Sequence, residues 1–223
     1  MPISGSATVT SFLAILTDPH RAIGLASFFF LLSGIIRVWF FRKQIRWDEV
    51  RTLLLFSVPL AAVGALSLVS INEILLLSII LAFSAWFFLK KIKLVKKSET
   101  KPHTTKVVGA LSGFLQGAGL GGSDLRNSYL FGKGLDIAEV HGTTALVGAA
   151  NFLVATIVRL LTKQLTIPDL LPLVYLFPVI LLGIVIGRKI LFKLNKKITD
   201  AIVILVMLLI IIFLARKIVL LVV

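Results

Sequence analysis

The chain has 223 residues, of which 58% are hydrophobic and 15% are charged, and its mean hydropathy is +1.03. Soluble domains are about a quarter charged, so this composition excludes an ordinary soluble enzyme and indicates an integral membrane protein. The net charge of +14 would suggest nucleic acid in a soluble chain, but in a membrane protein basic loops set orientation. We therefore expect a multi-pass protein of the cytoplasmic membrane, with the lipid bilayer as a partner and without a nucleic-acid surface.

Residue types that support redox and metal chemistry are scarce in the chain. It has no cysteine, and its histidines, His20, His103 and His141, do not have the HExxH spacing of a zinc enzyme. No cofactor motif appears in the sequence. We therefore predict a protein that holds no metal and no cofactor and is not an enzyme.

Long apolar runs define the predicted helices in chain order. Roughly 20 apolar residues span the hydrocarbon core of a bilayer, and the stretches that meet this rule are 21–41, 50–70, 73–89, 137–158, 169–187 and 199–221. Two further stretches, 2–17 and 107–132, are apolar enough to enter the membrane but are broken by glycine and hydroxyl residues. The sequence predicts an all-α integral membrane protein with about seven to eight membrane-embedded segments.

The segment 90–106, KKIKLVKKSETKPHTTK, separates two apolar halves. It has seven lysines and one acid, Glu99, and is too polar to insert into a bilayer. We interpret it as a cytoplasmic linker and topology determinant. The predicted organisation is a first membrane repeat at 1–89, the linker at 90–106, and a second membrane repeat at 107–223.

The two halves share residues at a nearly constant offset, which is typical of an internal duplication. The matches are Gly24 with Gly142, Lys43-Gln44 with Lys163-Gln164, Asp48 with Asp169, Pro59 with Pro178, and Gly64 with Gly183, at offsets of 118 to 121. We therefore predict two homologous repeats.

The loop charges indicate that these repeats are inverted. The first loop of the first half is basic and the next one, around Asn72, has no base, whereas the second half has most of its bases in the later loop. These bases are Arg42, Lys43, Arg46 and Arg51 in the first half, and Arg159 with Lys163, then Arg188, Lys189, Lys193, Lys196 and Lys197, in the second. If basic loops face the cytoplasm, the halves lie upside down relative to each other. Segment 107–132 must then enter and leave the membrane on one side.

The sequence of 107–132 favours such a re-entrant hairpin. VVGALSGFLQGAGLGG followed by SDLRNSYLFGKG reads as an apolar arm, a glycine break and a second arm. Charge at membrane depth costs roughly 2.5 to 3.5 kcal/mol and usually faces a cavity or a partner. In an extended piece, Asp124 and Arg126 would point the same way and share one cavity, where Asp124 orients Arg126 or carries a coupling proton. The alternatives are that both charged residues lie in a solvated loop near the membrane interface, and that the glycines serve only helix packing.

Three groups of residues form the predicted binding site for a small anion. Backbone N–H groups at a half-helix N-terminus attract anions, together with Arg126. The threonines that open the next helix either cap it or donate to a ligand, and His141 is a candidate proton carrier. The candidates are Gly119, Gly121, Gly122, Ser123, Asp124, Arg126 and Asn127; His141, Gly142, Thr143 and Thr144; and the hydroxyl-rich stretch with Ser4, Gly5, Ser6 and Thr8.

The N-terminal stretch matches only the second arm of the hairpin, because Met1 stands where a glycine break would be. Either the first arm is absent or the true start lies upstream. The first basic residue is Arg21, after the apolar run, so we do not expect a cleavable leader.

The order of these motifs carries a resemblance to a known family. SGFLQGAGLGGSDLRNSYLFGKGLDIAEVHGTT in the second half, and ISGSATVTSFLAILTDPHRAIGLAS in the first, resemble the sulfite exporter TauE/SafE family, also called toluene-sulfonate uptake permeases. The resemblance covers nearly the whole chain. It implies a secondary transporter of sulfite, sulfonates or related sulfur-containing anions, driven by an ion or proton gradient. Monomer and homodimer both stay open.

Two other functions stay open. A non-transporting scaffold or assembly subunit would use the lysine-rich linker to bind anionic lipid or a cytosolic partner. An intramembrane hydrolase would use Ser123 as the nucleophile and His141 as its base, although the sequence contains no GxSxG motif.

Overall fold

A computed structural model describes residues 5–91, 105–175, 177–179, 181–183, 186 and 196–222. All regular structure within these ranges is helical, which confirms the predicted all-α class. The helices are α1 (Gly5–Leu16), α2 (Pro19–Phe41), α3 (Trp47–Ser67), α4 (Glu73–Lys91), α5 (Thr105–Gly117), α6 (Ser123–Gly132), α7 (Ile137–Leu161), α8 (Ile167–Tyr175) and α9 (Lys196–Val222), with a 3₁₀ turn at Arg42–Gln44.

The predicted helices are present, with ends that differ by a few residues. The linker is shorter than predicted, because α4 continues to Lys91 and α5 begins at Thr105. Several predicted features lie outside the described residues. They are Ser4, the linker residues 92–104 with His103, part of the predicted helix 169–187, and the basic residues Arg188, Lys189 and Lys193.

Four helices in the described part of the chain are long and apolar enough to cross a membrane. They span Pro19–Gln44, Trp47–Ser67, Ile137–Leu161 and Ile204–Leu221. Glu73–Trp86 is a shorter apolar helix. The chain is therefore a membrane protein by length and composition of its helices, while the predicted total of seven to eight segments stays a prediction.

Local sequence explains where the two central helices begin. Asp18 precedes Pro19, a residue suited to the first helical position, and its side chain accepts a hydrogen bond of 3.0 Å from the Arg21 backbone N–H. Asp136 and Glu139 form a capping box at the start of α7, with hydrogen bonds of 2.7 and 3.1 Å. α7 therefore begins at Ile137.

The central helices α2 and α7 run antiparallel and meet through small residues. A Cβ added to Gly34 would lie 3.1 Å from the Ala149 Cβ. Towards the other end of the pair, Gly24 faces the Arg159 side chain. The order of contacts is reversed between the two helices, so α2 and α7 form one close antiparallel pair that joins the first half of the chain to the second.

Helices α3 and α5 run parallel, and they approach each other so closely that only glycine fits. Cβ atoms added to Gly113 and Gly117 would lie 2.1 Å from the Ser57 carbonyl oxygen and 2.0 Å from the Ala61 carbonyl oxygen. Gly109 meets Leu53 one turn earlier. This repeat of glycine every four residues is the small-residue packing typical of membrane helices, and it fixes α5 against α3.

Helix α1 lies against α2, α4 and α9. The Lys217 Nζ of α9 donates hydrogen bonds of 2.8 Å to the Ala14 carbonyl and 2.7 Å to the Thr17 carbonyl. These carbonyls belong to the end of α1, where backbone acceptors lack partners inside the helix. Lys217 therefore satisfies the C-terminal end of α1.

Basic residues gather at the end of the bundle where α2 and α6 end and α3 and α7 begin. We call this the basic end and define it by Arg42, Lys43, Arg46 and Lys133. Arg46 pairs with Glu139 at 3.0 Å, and Lys133 pairs with Glu49 at 2.5 Å. The hydrogen bond to Glu49 holds the pKa of Lys133 above its ordinary value, so Lys133 is a cation under physiological conditions.

Candidate functional site

The glycine break between α5 and α6 is present as predicted. Gly119, Gly121 and Gly122 have φ angles of +73°, +101° and +122°, which L side chains rarely adopt. They turn the chain between two short helices of 13 and 10 residues. At 1.5 Å per residue these helices are about 20 and 15 Å long, and neither reaches across about 30 Å of hydrocarbon.

The two arms return side by side as a helical hairpin. A Cβ added to Gly122 would lie 2.3 Å from the Ser112 carbonyl oxygen, so the start of α6 touches the middle of α5. At the other end of the hairpin, the Thr105 hydroxyl and the Tyr129 hydroxyl form a short hydrogen bond. The base of the hairpin lies at the basic end, where Lys133 follows α6, and its tip lies inside the bundle.

Arg126, on α6, is fully buried, with 0% of its surface exposed. Its Nη1 donates a hydrogen bond of 3.2 Å to the Ser112 hydroxyl. Its Nε and Nη2 are both buried and have no hydrogen-bond partner among the described residues. These two nitrogens form one edge of the planar guanidinium, the edge that binds two oxygens of an oxyanion in parallel. We call this edge the Arg126 fork.

Other positive potential converges on the same place. Gly122, the N-cap residue of α6, provides no side chain to cap the helix, and helix N-termini carry a partial positive charge that favours anions. Asp124, in the first turn of α6, interacts electrostatically with Arg126. That interaction lowers the net positive potential at Arg126, but within the described part of the chain the fork nitrogens themselves have no hydrogen-bond acceptor.

A chain of buried amides lies beside Arg126. Ser57 Oγ donates to Asn151 Oδ1 at 2.9 Å, and Asn151 Nδ2 donates to Gln116 Oε1 at 3.1 Å. Gln116 Nε2 then donates to the Gly148 carbonyl at 3.4 Å. These polar groups join α3, α5 and α7 next to the hairpin. Sequence analysis missed Gln116 and Asn151, although an amide within an apolar helix is a recognisable signal.

Asp124 and Arg126 do not point the same way, so the expectation of an extended piece is wrong. Residues Ser123–Gly132 form a helix, and positions two apart on a helix do not face each other. Arg126 is buried, whereas Asp124 is half-buried. Asn127, one residue further, accepts a hydrogen bond of 2.9 Å from the Thr144 hydroxyl, which connects α6 to α7.

The residues 141–144 lie in the second turn of α7, so the threonines do not cap that helix. The capping box at Asp136 does so instead. Thr143 is buried, and its hydroxyl accepts a hydrogen bond of 3.1 Å from the Arg46 backbone N–H at the start of α3. Gly142 packs closely on Phe41, and the centroids of the His141 and Phe41 rings lie 5.9 Å apart. Within residues 141–144, Thr144 connects to the hairpin through its hydrogen bond to Asn127.

The N-terminal hydroxyl residues lie in a different part of the bundle. Gly5 and Ser6 begin α1, and Thr8 lines a small cavity with Ser11, Ser84, Met207 and Ile210. Ser11 and Ser84 share a hydrogen bond of 2.7 Å. This cavity lies between α1, α4 and α9, whereas Arg126 lies among α5, α6 and α7. The structure therefore joins the candidates on α6 to one candidate on α7, Thr144, and it places those on α1 elsewhere.

Arg159, counted with the loop charges as a residue at the preceding helix end, lies in the last turn of α7 but faces the interior of the bundle. It is 1% exposed, and its nitrogens donate to Ser27 Oγ at 3.3 Å, to the Ala155 carbonyl at 3.3 Å and to the Gly117 carbonyl at 2.6 Å. Arg159 thus binds the C-terminal end of α5 from inside the bundle. A basic residue near a predicted helix end suggests a loop, because sequence does not show which face of the helix is covered.

Comparison with known proteins gives one result at the level of families. A family model described as "Sulfite exporter TauE/SafE" matches residues 2–214. No curated protein and no solved structure matches the chain.

Proposed function

The chain belongs to the sulfite exporter TauE/SafE family, and we propose that it is a secondary transporter that carries sulfite, sulfonates or related sulfur-containing anions across the cytoplasmic membrane. The family indicates a membrane transporter of sulfur anions, and the apolar helices agree with a membrane location. The specific substrate, the coupling to a proton or another ion, and the multi-pass topology in that membrane are parts of the proposal.

The Arg126 fork is the observation that carries the proposal. A buried guanidinium whose Nε and Nη2 lack acceptors among the described residues is expensive, because the desolvation of these N–H groups is not compensated. An oxyanion that accepts from Nε and Nη2 would supply the missing acceptors and the missing charge. The uncapped start of α6 adds favourable potential at the same place, so the hairpin suits an anion better than it suits a cation or a neutral solute.

Transport requires that the anion reach a residue that is fully buried here. We propose that the α5–α6 hairpin opens at the basic end, where Lys133 holds Glu49 and Thr105 holds Tyr129. These two contacts are polar, and beside them Val108 and Leu130 pack into an apolar cluster with Val50, which opening has to separate as well. In this proposal the described conformation is occluded, and the predicted inverted repeats provide the second conformation.

Flux in proteoliposomes tests the proposal directly. Labelled sulfite and a small organosulfonate would be offered to wild type, to Arg126→Gln and to the control Arg46→Gln, whose guanidinium is exposed and pairs with Glu139. We expect saturable flux in wild type and in the control, and its loss in Arg126→Gln. Folded wild-type protein that moves neither anion would overturn the proposal.

A further inference from the structure

We propose that Gln116 is a third donor of the anion site and that it sets the preference for a headgroup with three acceptor oxygens over one with two. This inference rests on the proposed function, since it concerns the selectivity of the same site. Its basis is the position of the Gln116 amide beside Arg126 and the direction in which hydrogen bonds hold that amide.

The amide nitrogen of Gln116 lies close to the Arg126 fork. A Cβ added to Gly148 would lie 3.3 Å from Gln116 Nε2 and 3.5 Å from Arg126 Nη2. Both nitrogens therefore border Gly148, where even an added Cβ would be tight, so a headgroup reaches them only in the opened conformation proposed above. There a single headgroup can accept from the fork with two oxygens and from Gln116 with a third.

The direction of the amide is fixed by its partners. An amide can be turned round to exchange its oxygen and nitrogen, but the Gly148 carbonyl can only accept, so the atom of Gln116 that faces it is Nε2, which donates one of its two N–H groups there. Gln116 Oε1 then faces Asn151 and accepts from Asn151 Nδ2. The second N–H is the donor that we assign to the anion.

This arrangement distinguishes headgroups by their number of oxygens. A carboxylate uses both oxygens on the fork and leaves the Gln116 donor unmatched inside the protein, which is unfavourable. Sulfite and an alkyl sulfonate have three oxygens and can satisfy all three donors. Asn151 and Ser57 act as positioning residues, because they reach the anion only through Gln116.

The test compares the inhibition of sulfite flux by methanesulfonate and by acetate. In Gln116→Met, which keeps the length of the side chain and removes its donor, we expect the KM for sulfite to rise about tenfold or more, the worth of one hydrogen bond to a charged group. The preference for methanesulfonate over acetate should fall by a similar factor. The matched control is Gln164→Met, because Gln164 lies in the loop after α7, where its amide bonds to the His20 ring.

A second variant separates positioning from packing. Asn151→Leu keeps the approximate size of the side chain and brings no charge, but it cannot donate to Gln116 Oε1, so the amide is no longer held in one direction. We expect a higher KM for sulfite in Asn151→Leu and no further rise when Gln116→Met is added, because both changes act through the same amide. An unchanged selectivity ratio in Gln116→Met, with normal wild-type flux, overturns this inference alone, whereas absent wild-type flux overturns the proposed function.

Discussion

Arg159 Nη2 donates a hydrogen bond of 2.6 Å to the carbonyl oxygen of Gly117, the last residue of α5. The two ends of the glycine break are thus flanked by buried guanidinium groups with different surroundings. Arg159 meets the negative end of a helix and finds three acceptors. Arg126 lies at the positive start of α6 and finds one. The first arrangement is complete without a ligand, and the second is not.

Stability measurements should separate these two arginines. Arg159→Met leaves the Gly117 and Ala155 carbonyls with fewer donors, and we expect it to lower the free energy of unfolding by about 1 to 3 kcal/mol. Arg126→Met removes a buried cation that has one acceptor, the Ser112 hydroxyl, and we expect it to leave the unfolding temperature unchanged or higher without anion. Thermal unfolding in detergent measures both, and equal losses in the two variants would contradict this contrast.

Added anion should stabilise wild type and not Arg126→Met. A ligand that binds only the folded protein raises stability by about 2.7 kcal/mol at a concentration of 100 times its Kd. Sulfite titrated into both proteins at constant ionic strength therefore should raise the unfolding temperature of wild type alone. An equal rise in the variant would mean that sulfite acts elsewhere on the protein.

Lysine should not replace Arg126. Arg126→Lys keeps the positive charge but offers a point charge in place of a planar fork. We expect the KM for sulfite to rise by about 10-fold or more, in line with the loss of a charge-assisted hydrogen bond. Flux kinetics over a range of sulfite concentrations give the comparison. Wild-type kinetics in the lysine variant would show that charge alone suffices and that the fork geometry is irrelevant.

The contact between α3 and α5 should not tolerate a methyl group. In Gly113→Ala the new Cβ would lie 2.1 Å from the Ser57 carbonyl oxygen, so the two helices must separate. Overpacking of this kind typically costs about 1 to 3 kcal/mol. Gly132→Ala is the matched control, because among the described residues nothing beyond its chain neighbours and the backbone of its own helix lies within 4 Å of the added Cβ. Unfolding temperatures of the two variants provide the measurement, and a stable Gly113→Ala protein would argue against this packing.

Asp124 is our candidate for the group that couples transport to protons. It lies in the first turn of α6 and interacts electrostatically with Arg126, so its protonation would change the potential at the fork. Asp124→Asn should retain sulfite exchange at equal pH but lose the acceleration by an imposed pH gradient. Flux that still follows the gradient in this variant would assign coupling to another group.

The orientation of the chain can be read with single cysteines, because the native sequence has none. Lys43→Cys and Lys133→Cys lie at the basic end, and Lys163→Cys follows α7 at the opposite end. All three positions are exposed. Since basic loops face the cytoplasm, an impermeant thiol reagent added outside should label Lys163→Cys alone. Labelling of Lys133→Cys from outside would reverse the assignment.

The helices and the glycine break were predictable because composition determines them. Roughly 20 apolar residues have one stable arrangement in a bilayer, and the glycines around residue 121 suit backbone angles that other residues avoid. Arg126 was also predictable as a candidate site residue, since a charged residue in an apolar stretch usually faces a cavity or a partner.

The contents of the site were less predictable, because they depend on which faces of different helices meet. Gln116 and Asn151 are neutral, and their meeting requires that α5 and α7 lie side by side. Arg159 has the same sequence context as a loop charge, and only its three acceptors identify it as an interior residue. The relation of Asp124 to Arg126 depended on whether residue 123 begins a helix.

The parallel contact of α3 with α5 has a consequence for biosynthesis. The surface of α3 that contains Ser57 and Ala61 is completed by Gly113 and Gly117, which the ribosome adds only after the whole lysine-rich segment. Until then, this surface of α3 lies in the bilayer without its contact to α5. The first half therefore does not complete its own packing. A nascent chain that stops in the lysine-rich segment would expose this surface of α3 to quality-control proteases. Two separately made halves could still associate through the same surface.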